Sequence, residues 1–196
     1  MARKRKPKME YRYYEIPAGS PVLALLGDKW VQNYGRDIDY LHFHNHLEVG
    51  FCYYGEGTVT FKEDIPFDGN MFTVIPKNFP HTTTSAGDSV SYWEWLFIDA
   101  DKFLREVYKD NPRMAQKVLD RVNRRAHFVR VQDKPQIGAL VQQIIGCMRE
   151  RKEFYLEEVK GLTLALLLQV ARWNREEAEK TEFEAGNTSL ITPAID

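Results

Sequence analysis

Four of the five histidines, His42, His44, His46 and His81, fall within 40 residues, and Glu48 lies among them. On a β-strand, residues two apart share a face. His42 and His44 therefore point the same way, and His46 and Glu48 join them if the strand runs straight through. Imidazoles and a carboxylate converging on one point suit a borderline divalent metal such as Zn, Fe or Mn. They equally suit a polar ligand that needs several donors and acceptors in an otherwise apolar cavity. A third arrangement has the side chains hydrogen-bonding one another with no ligand.

Trp93 and Trp95 share a parity opposite to that of Glu94, so both indole rings lie on one face of a strand. They either stack on the ring of a ligand or fill the core, as many of the 25 Trp, Tyr and Phe residues must. Cys52 and Tyr54 have the parity of Glu48. Hydrolytic chemistry finds no support, because no Gly-x-Ser-x-Gly elbow occurs. Gly55-Glu56-Gly57 runs on into a strand pattern and is no phosphate loop. His127 stands alone beside Phe128 and reads as structural.

The elements that must hold these residues change character near residue 100. Before it, Tyr40–His46, Glu48–Tyr54, Thr58–Lys62, Met71–Ile75 and Val90–Ile98 read as short strands, separated by turns such as Asp68-Gly69-Asn70. Short strands at this spacing predict an antiparallel sandwich or barrel. After residue 100 the period is helical. Asn111 and Pro112 form a cap and first turn, with Met114, Val118 and Val122 on one stripe. Asp133 is placed to cap a helix whose apolar face is Ile137, Leu140, Val141, Ile144, Ile145 and Met148. A further helix, from about Phe154 to Ala178, is apolar nearly all round between 162 and 171 and needs partners on more than one side. Either the rest of this chain surrounds it, or a second subunit packs on it with Leu166 and Val170 at the seam. From Asn174 the chain turns acidic and small, reading as a helix end that enters a linker.

The net charge of −1 hides an asymmetry: Arg3, Lys4, Arg5, Lys6 and Lys8 lie in the first eight residues, leaving 22 basic against 28 acidic residues elsewhere. An acidic body does not suit a broad DNA-gripping face. Arg121, Arg124 and Arg125 read as a solvated helix face, and the basic terminus as a flexible arm. No apolar segment is long enough to span a bilayer, and none follows the basic start as in a secretory signal. Cys52 and Cys147 lack framework spacing, as expected of reduced thiols in a cytoplasmic protein.

The order His42-x-His44-x3-Glu48-x6-Gly55, followed by Gly69-x6-Pro76-x4-His81, resembles the two signature motifs of the cupin superfamily. Gly35 lies one residue off the leading position of the first motif. Asn78 stands where a glycine is usual, and Ser85 where an asparagine is usual. The resemblance implies a small double-stranded β-barrel in which His42, His44, Glu48 and His81 converge. His42-Phe43-His44-Asn45-His46-Leu47-Glu48-Val49, the hairpin Tyr54–Thr58, Ile75-Pro76 leading to Pro80-His81, and Trp93–Asp99 before the helices further resemble the sensor domain of AraC-type transcription regulators, over roughly residues 10 to 175.

That resemblance implies an α+β fold dominated by β: a cupin-type jelly-roll barrel followed by a C-terminal helical segment. It divides the chain into a basic arm (1–9), a sensor barrel (10–100), a helical dimerisation segment (101–178) and a linker (179–196) toward a helix-turn-helix domain absent from this chain. The function it implies is sensing of a small effector, sugar-like or a related metabolite, by a cytoplasmic homodimer with no catalysis. DNA would be read only through residues outside this chain. His42, His44, Glu48, His81, Trp93 and Trp95 are the expected ligand-binding residues, and no cofactor is expected. The alternative is a metal-dependent cupin enzyme, an oxygenase or isomerase, with Zn, Fe or Mn held by His42, His44, Glu48 and His81.

Overall fold

Six consecutive buried residues, Leu47 to Cys52, run through the middle of the fold. They belong to a strand whose two faces both meet protein, as a continuous apolar run requires. The computed structural model describes residues 8–36, 38 and 40–191, with side chains through 179. In chain order the strands are β1 (Met9–Arg12), β2 (Val22–Leu25), β3 (Val31–Gln32), β4 (Leu41–His44), β5 (Leu47–Tyr54), β6 (Gly57–Thr60), β7 (Asp64–Phe67), β8 (Met71–Ile75), β9 (Thr82–Ser85) and β10 (Ser91–Ile98). Then come α1 (Ala100–Val107), α2 (Pro112–Val122), β11 (His127–Arg130), α3 (Pro135–Glu150) and α4 (Tyr155–Ile191).

The main sheet is antiparallel, in the order β11-β8-β5-β10-β2, with β3 also on β10. A second antiparallel sheet has the order β7-β6-β9, while β1 and β4 form a parallel pair. An isolated antiparallel bridge joins His42 to His81, each backbone N–H donating to the other's carbonyl at 2.9 Å. The parity of β5 and β10 sorts the core in two. Leu47, Val49, Phe51, Leu96 and Ile98 pack toward the helices, whereas Cys52, Trp93, Trp95 and Phe97 pack with Val59 and Phe67 of the second sheet. Glu48 lies opposite Phe97 in the β5–β10 register, on this second, aromatic side.

Glu94 has the other parity and is fully buried on the helix side. Its carboxylate accepts from Gly27 N–H (2.8 Å), Tyr92 Oη (2.8 Å), Tyr53 Oη (2.7 Å) and Arg149 Nη2. Burial pushes its pKa up, but the four donors outweigh that and hold it below the ordinary value. One buried charge thereby ties the turn before β3, the main sheet and α3 together.

The helical half departs from expectation in four places. Asp99 caps α1, accepting from Lys102 N–H at 3.0 Å, so a helix begins where the last strand ends. Residues 127–130 form a strand rather than a helix connection, because Phe128 and Val129 suit the open edge of β8. Asp133 caps nothing: it lies in a 3-10 turn, and α3 begins with Pro135 in its first turn after Lys134. Helix α4 continues to Ile191, past the end expected near Ala178, since the Glu, Ala and Lys residues there favour helix and the one glycine beyond 178, Gly186, costs only about 1 kcal/mol. The Asn111 cap and the apolar stripes of α2 and α3 match the sequence pattern, with Leu140 only half-buried.

Leu166 and Val170 are fully buried within this chain, against the expectation that they meet a second subunit. Helices α2 and α3 both pack on α4, and they take the face that carries these two residues. Residues 1–7 of the basic arm lie outside the described residues. No helix among the described residues is long and apolar enough to cross a membrane, and both cysteines are free.

Candidate functional site

The strand carrying the histidines does not run straight. β4 ends at His44, two bent residues follow, and β5 starts at Leu47. The break turns His46 away, yet it brings Glu48 back to the side of His42 and His44. His81 joins them from the segment before β9, held by its backbone bridge to His42. One ligand atom from each of His42, His44, Glu48 and His81 lies within 4.8 Å of the others.

This cluster is buried and short of hydrogen bonds. His44, Glu48 and His81 are at most 3 % exposed. His44 Nε2 lies 2.8 Å from Glu48 Oε2 and His81 Nε2 lies 3.5 Å from Glu48 Oε1. His42 Nδ1, both ring nitrogens of His44, Glu48 Oε1 and His81 Nε2 are nevertheless buried without an aligned hydrogen-bond partner. Buried polar atoms are ordinarily paired, so a cluster with this many orphans suits a bound ion or a polar ligand. His81 Nδ1 lies 2.9 Å from the Phe79 carbonyl, which accepts the proton at that nitrogen and leaves Nε2 facing Glu48.

The electrostatics agree with that role. Burial, then the neighbouring His81, pushes the His42 pKa down to about 3, so its imidazole is neutral at physiological pH. Burial pushes Glu48 upward, but His44 and His81 outweigh it and hold the carboxyl well below the usual carboxylate range. A carboxylate and imidazole lone pairs form a donor set for a borderline divalent cation, or for a ligand with polar groups to pair.

A cavity of about 290 Å³ opens beside the cluster, with His42, Glu48 and His81 in its wall. Tyr14, Trp30, Tyr34, Trp95 and Phe97 give it an aromatic side, and Arg12, Gln32, Asn33 and Arg36 a polar one. Tyr14 stacks on Phe97 with centroids 3.9 Å apart. Trp95 thus lies in the cavity wall as the sequence allowed. Trp93 does not: it is fully buried, stacked 4.9 Å behind Trp95 with the rings 7° from parallel, and Phe67 meets it edge-on. Close packing of Trp95 depends on Gly50, above which the indole lies directly.

Sequence reasoning overlooked Arg12, Tyr14, Trp30 and Tyr34. They enter through β1 and the segment after its end and through the turns on either side of β3, and no local periodicity announces that β1 will pair with a strand about 30 residues on. Asn45 was also unforeseen. Its side chain accepts from Tyr14 N–H at 3.0 Å and donates to Tyr14 O at 2.9 Å, fixing the Tyr14 backbone.

His46 belongs elsewhere. Its Nε2 lies 3.0 Å from Tyr14 O and 2.8 Å from Asn45 Nδ2, and the ring borders a larger cavity of about 640 Å³ between the N-terminal segment, α1 and α4. His127 is structural: it stacks on Trp173 at 3.6 Å and contacts Asn174 Oδ1 at 2.6 Å. Cys52 packs in the aromatic core and Tyr54 is exposed. Of the three clustered arginines, Arg125 pairs with Glu177 at 3.7 Å.

No family model matches this chain, and no curated protein matches it in sequence. Several solved structures are similar in fold. The AraC-like transcriptional activator CuxR matches at 13 % identity and a TM-score of 0.42, covering 66 % of this chain and 42 % of its own. ToxT from Vibrio cholerae matches at 13 % identity and a TM-score of 0.46, covering 78 % of this chain and 54 % of its own. ToxT bound to an unsaturated fatty acid matches at 10 % identity and a TM-score of 0.43, covering 82 % and 54 %. This chain therefore spans about half the length of the structures it matches.

Proposed function

We propose that this chain is a cupin-type effector-sensing domain of an AraC-type transcription regulator, and that it binds its small-molecule effector without turning it over. The observation that carries the reading is the aromatic cavity with His42, Glu48 and His81 in its wall. A concave space with aromatic walls and convergent polar groups is the usual form of a small-ligand site. In this reading His42, His44, Glu48 and His81 orient the polar groups of the effector, and Trp95 packs against its skeleton. Trp93 supports Trp95 from behind. DNA contact through residues outside this chain, cytoplasmic location and pairing of two copies belong to the same proposal, the pairing through the half-buried Leu164 and Leu168 of α4.

The orphaned lone pairs favour a second reading in which His42, His44, Glu48 and His81 hold one divalent cation, Zn, Fe or Mn. These residues fit such an ion by donor type, charge and mutual distance. When bound, it would supply a Lewis-acid anchor for an oxygen of the ligand. The histidines would remain neutral donors, Glu48 would offset the charge, and the aromatic walls would limit water. A metal-dependent oxygenase or isomerase is the catalytic version of this arrangement.

Elemental analysis of tag-free protein, paired with a thermal-shift screen of metabolites, separates these readings. Sensing predicts a stabilising small molecule that remains chemically unchanged after long incubation; at 100 times its dissociation constant it adds about 2.7 kcal/mol. Stoichiometric iron or manganese together with consumption of the bound compound would overturn the sensor reading.

A further inference from the structure

The walls of the inner cavity say what kind of molecule it takes. Among the described residues lining it, Glu48 is the single carboxylate, and that charge is already faced by His44 and His81. Two guanidinium groups, Arg12 and Arg36, line the same cavity. Arg36 is exposed on the turn after β3, and Arg12 is half-buried beside Tyr14. Arg12 Nε donates to Glu10 Oε1 at 2.8 Å, which orients the guanidinium at the end of β1. Trp30 Nε1–H, also in the lining residues, is buried without a hydrogen-bond partner.

Arg12, Arg36 and Trp30 offer donors only. A narrow cavity with cationic groups and low-dielectric aromatic walls concentrates an anion, and a guanidinium fork matches a carboxylate in shape.

Resting on the sensing reading above, we propose that the ligand of the inner cavity is a small organic carboxylate, received at Arg12 with its carbon skeleton against Trp95 and Phe97. The volume of about 290 Å³ admits a sugar acid or a single-ring aromatic acid, near the lower end of small-ligand sites at about 300 Å³. Arg36 adds charge at the exposed side and draws the anion in.

The test uses the full chain and matched pairs of acid and neutral analogue: D-galacturonate with D-galactose, benzoate with benzamide, and succinate with succinamide. Binding is read by thermal shift and titration calorimetry at fixed ionic strength. At least one acid is expected to bind about tenfold or more tightly than its neutral partner, the scale of one charge-assisted hydrogen bond. That preference collapses in Arg12→Gln and survives in part in Arg12→Lys, with unliganded melting temperatures confirming that both variants fold. A neutral member that binds as tightly as its acid overturns the proposal and leaves the sensing reading standing. An acid preference unchanged in Arg12→Gln overturns the assignment to Arg12. Failure of every acid and every neutral analogue to bind overturns the carboxylate proposal; if the metabolite screen is also empty, the sensing reading falls with it.

Discussion

His44 and His46, two residues apart, turn to opposite sides of Asn45. His44 faces Glu48 at 2.8 Å, and His46 borders the larger cavity beside α1 and α4. A straight strand would have put both on one face. The bend separates them, and the Asn45 side chain continues the pairing with the N-terminal segment by bonding both backbone polar groups of Tyr14. The four-residue cluster therefore depends on an interruption of the strand.

Gly50 sets the position of the cavity wall. A Cβ at this residue would come within 2.6 Å of Trp95 Cε3 and 2.8 Å of Thr73 Oγ1. Gly50→Ala is therefore expected to push the Trp95 ring off β5, costing about 1–3 kcal/mol as an overpacked core does. It should also weaken any ligand of the inner cavity more than it weakens metal binding. Urea unfolding measures the first effect and calorimetry the second.

Acid sensitivity should be traceable to His127. Burial pushes its pKa down to about 4 from 6.5, against the partial support of Asn174, with Arg125 and Lys134 opposing protonation and Glu177 favouring it. Below pH 6.5 the unfolded imidazole takes a proton that the folded one refuses until about pH 4, so stability falls as pH drops through that window. At about 1.4 kcal/mol per unit the loss approaches about 3 kcal/mol. His42 and Glu48 act in the same direction, so a variant is needed. His127→Gln, unfolded in urea at pH 7.5 and 4.5, should be less stable at neutral pH and lose less on acidification. An unchanged slope would show that the other groups carry the effect.

Charge on α4 distinguishes folding from pairing. Leu166→Glu puts a carboxylate into a fully buried position and is expected to cost more than about 4 kcal/mol, unfolding the chain. Leu164 and Leu168 are one turn apart and only half-buried. Leu164→Glu with Leu168→Glu should leave the fold intact and convert a dimer to monomer in sedimentation velocity. A dimer that persists, or a monomeric parent, would remove α4 from the interface.

The legible parts of this fold were those written locally. The buried stripe of α3, the Asn111 cap and the strand pattern of Glu48–Tyr54 depend on neighbours within a few residues. The pairing of β1 with β4 and the insertion of β11 beside β8 are choices made by long-range partners, which one sequence does not display. The site divides in the same way. His42, His44, Glu48 and His81 stood out by type and spacing, whereas Arg12 at the end of β1 and Tyr14 and Tyr34 in the segments after β1 and β3 reach the cavity without a periodicity to mark them. Parity placed Trp93 and Trp95 on one face, but it did not separate the ring in the wall from the ring behind it.

That pair of rings has an optical consequence. Trp93 and Trp95 lie nearly parallel at 4.9 Å, close enough for their electronic transitions to couple. One indole borders the cavity and the other is sealed in the core, so a molecule touching Trp95 perturbs a chromophore shared by both. Occupancy is thereby written into the ultraviolet spectrum of the unlabelled protein.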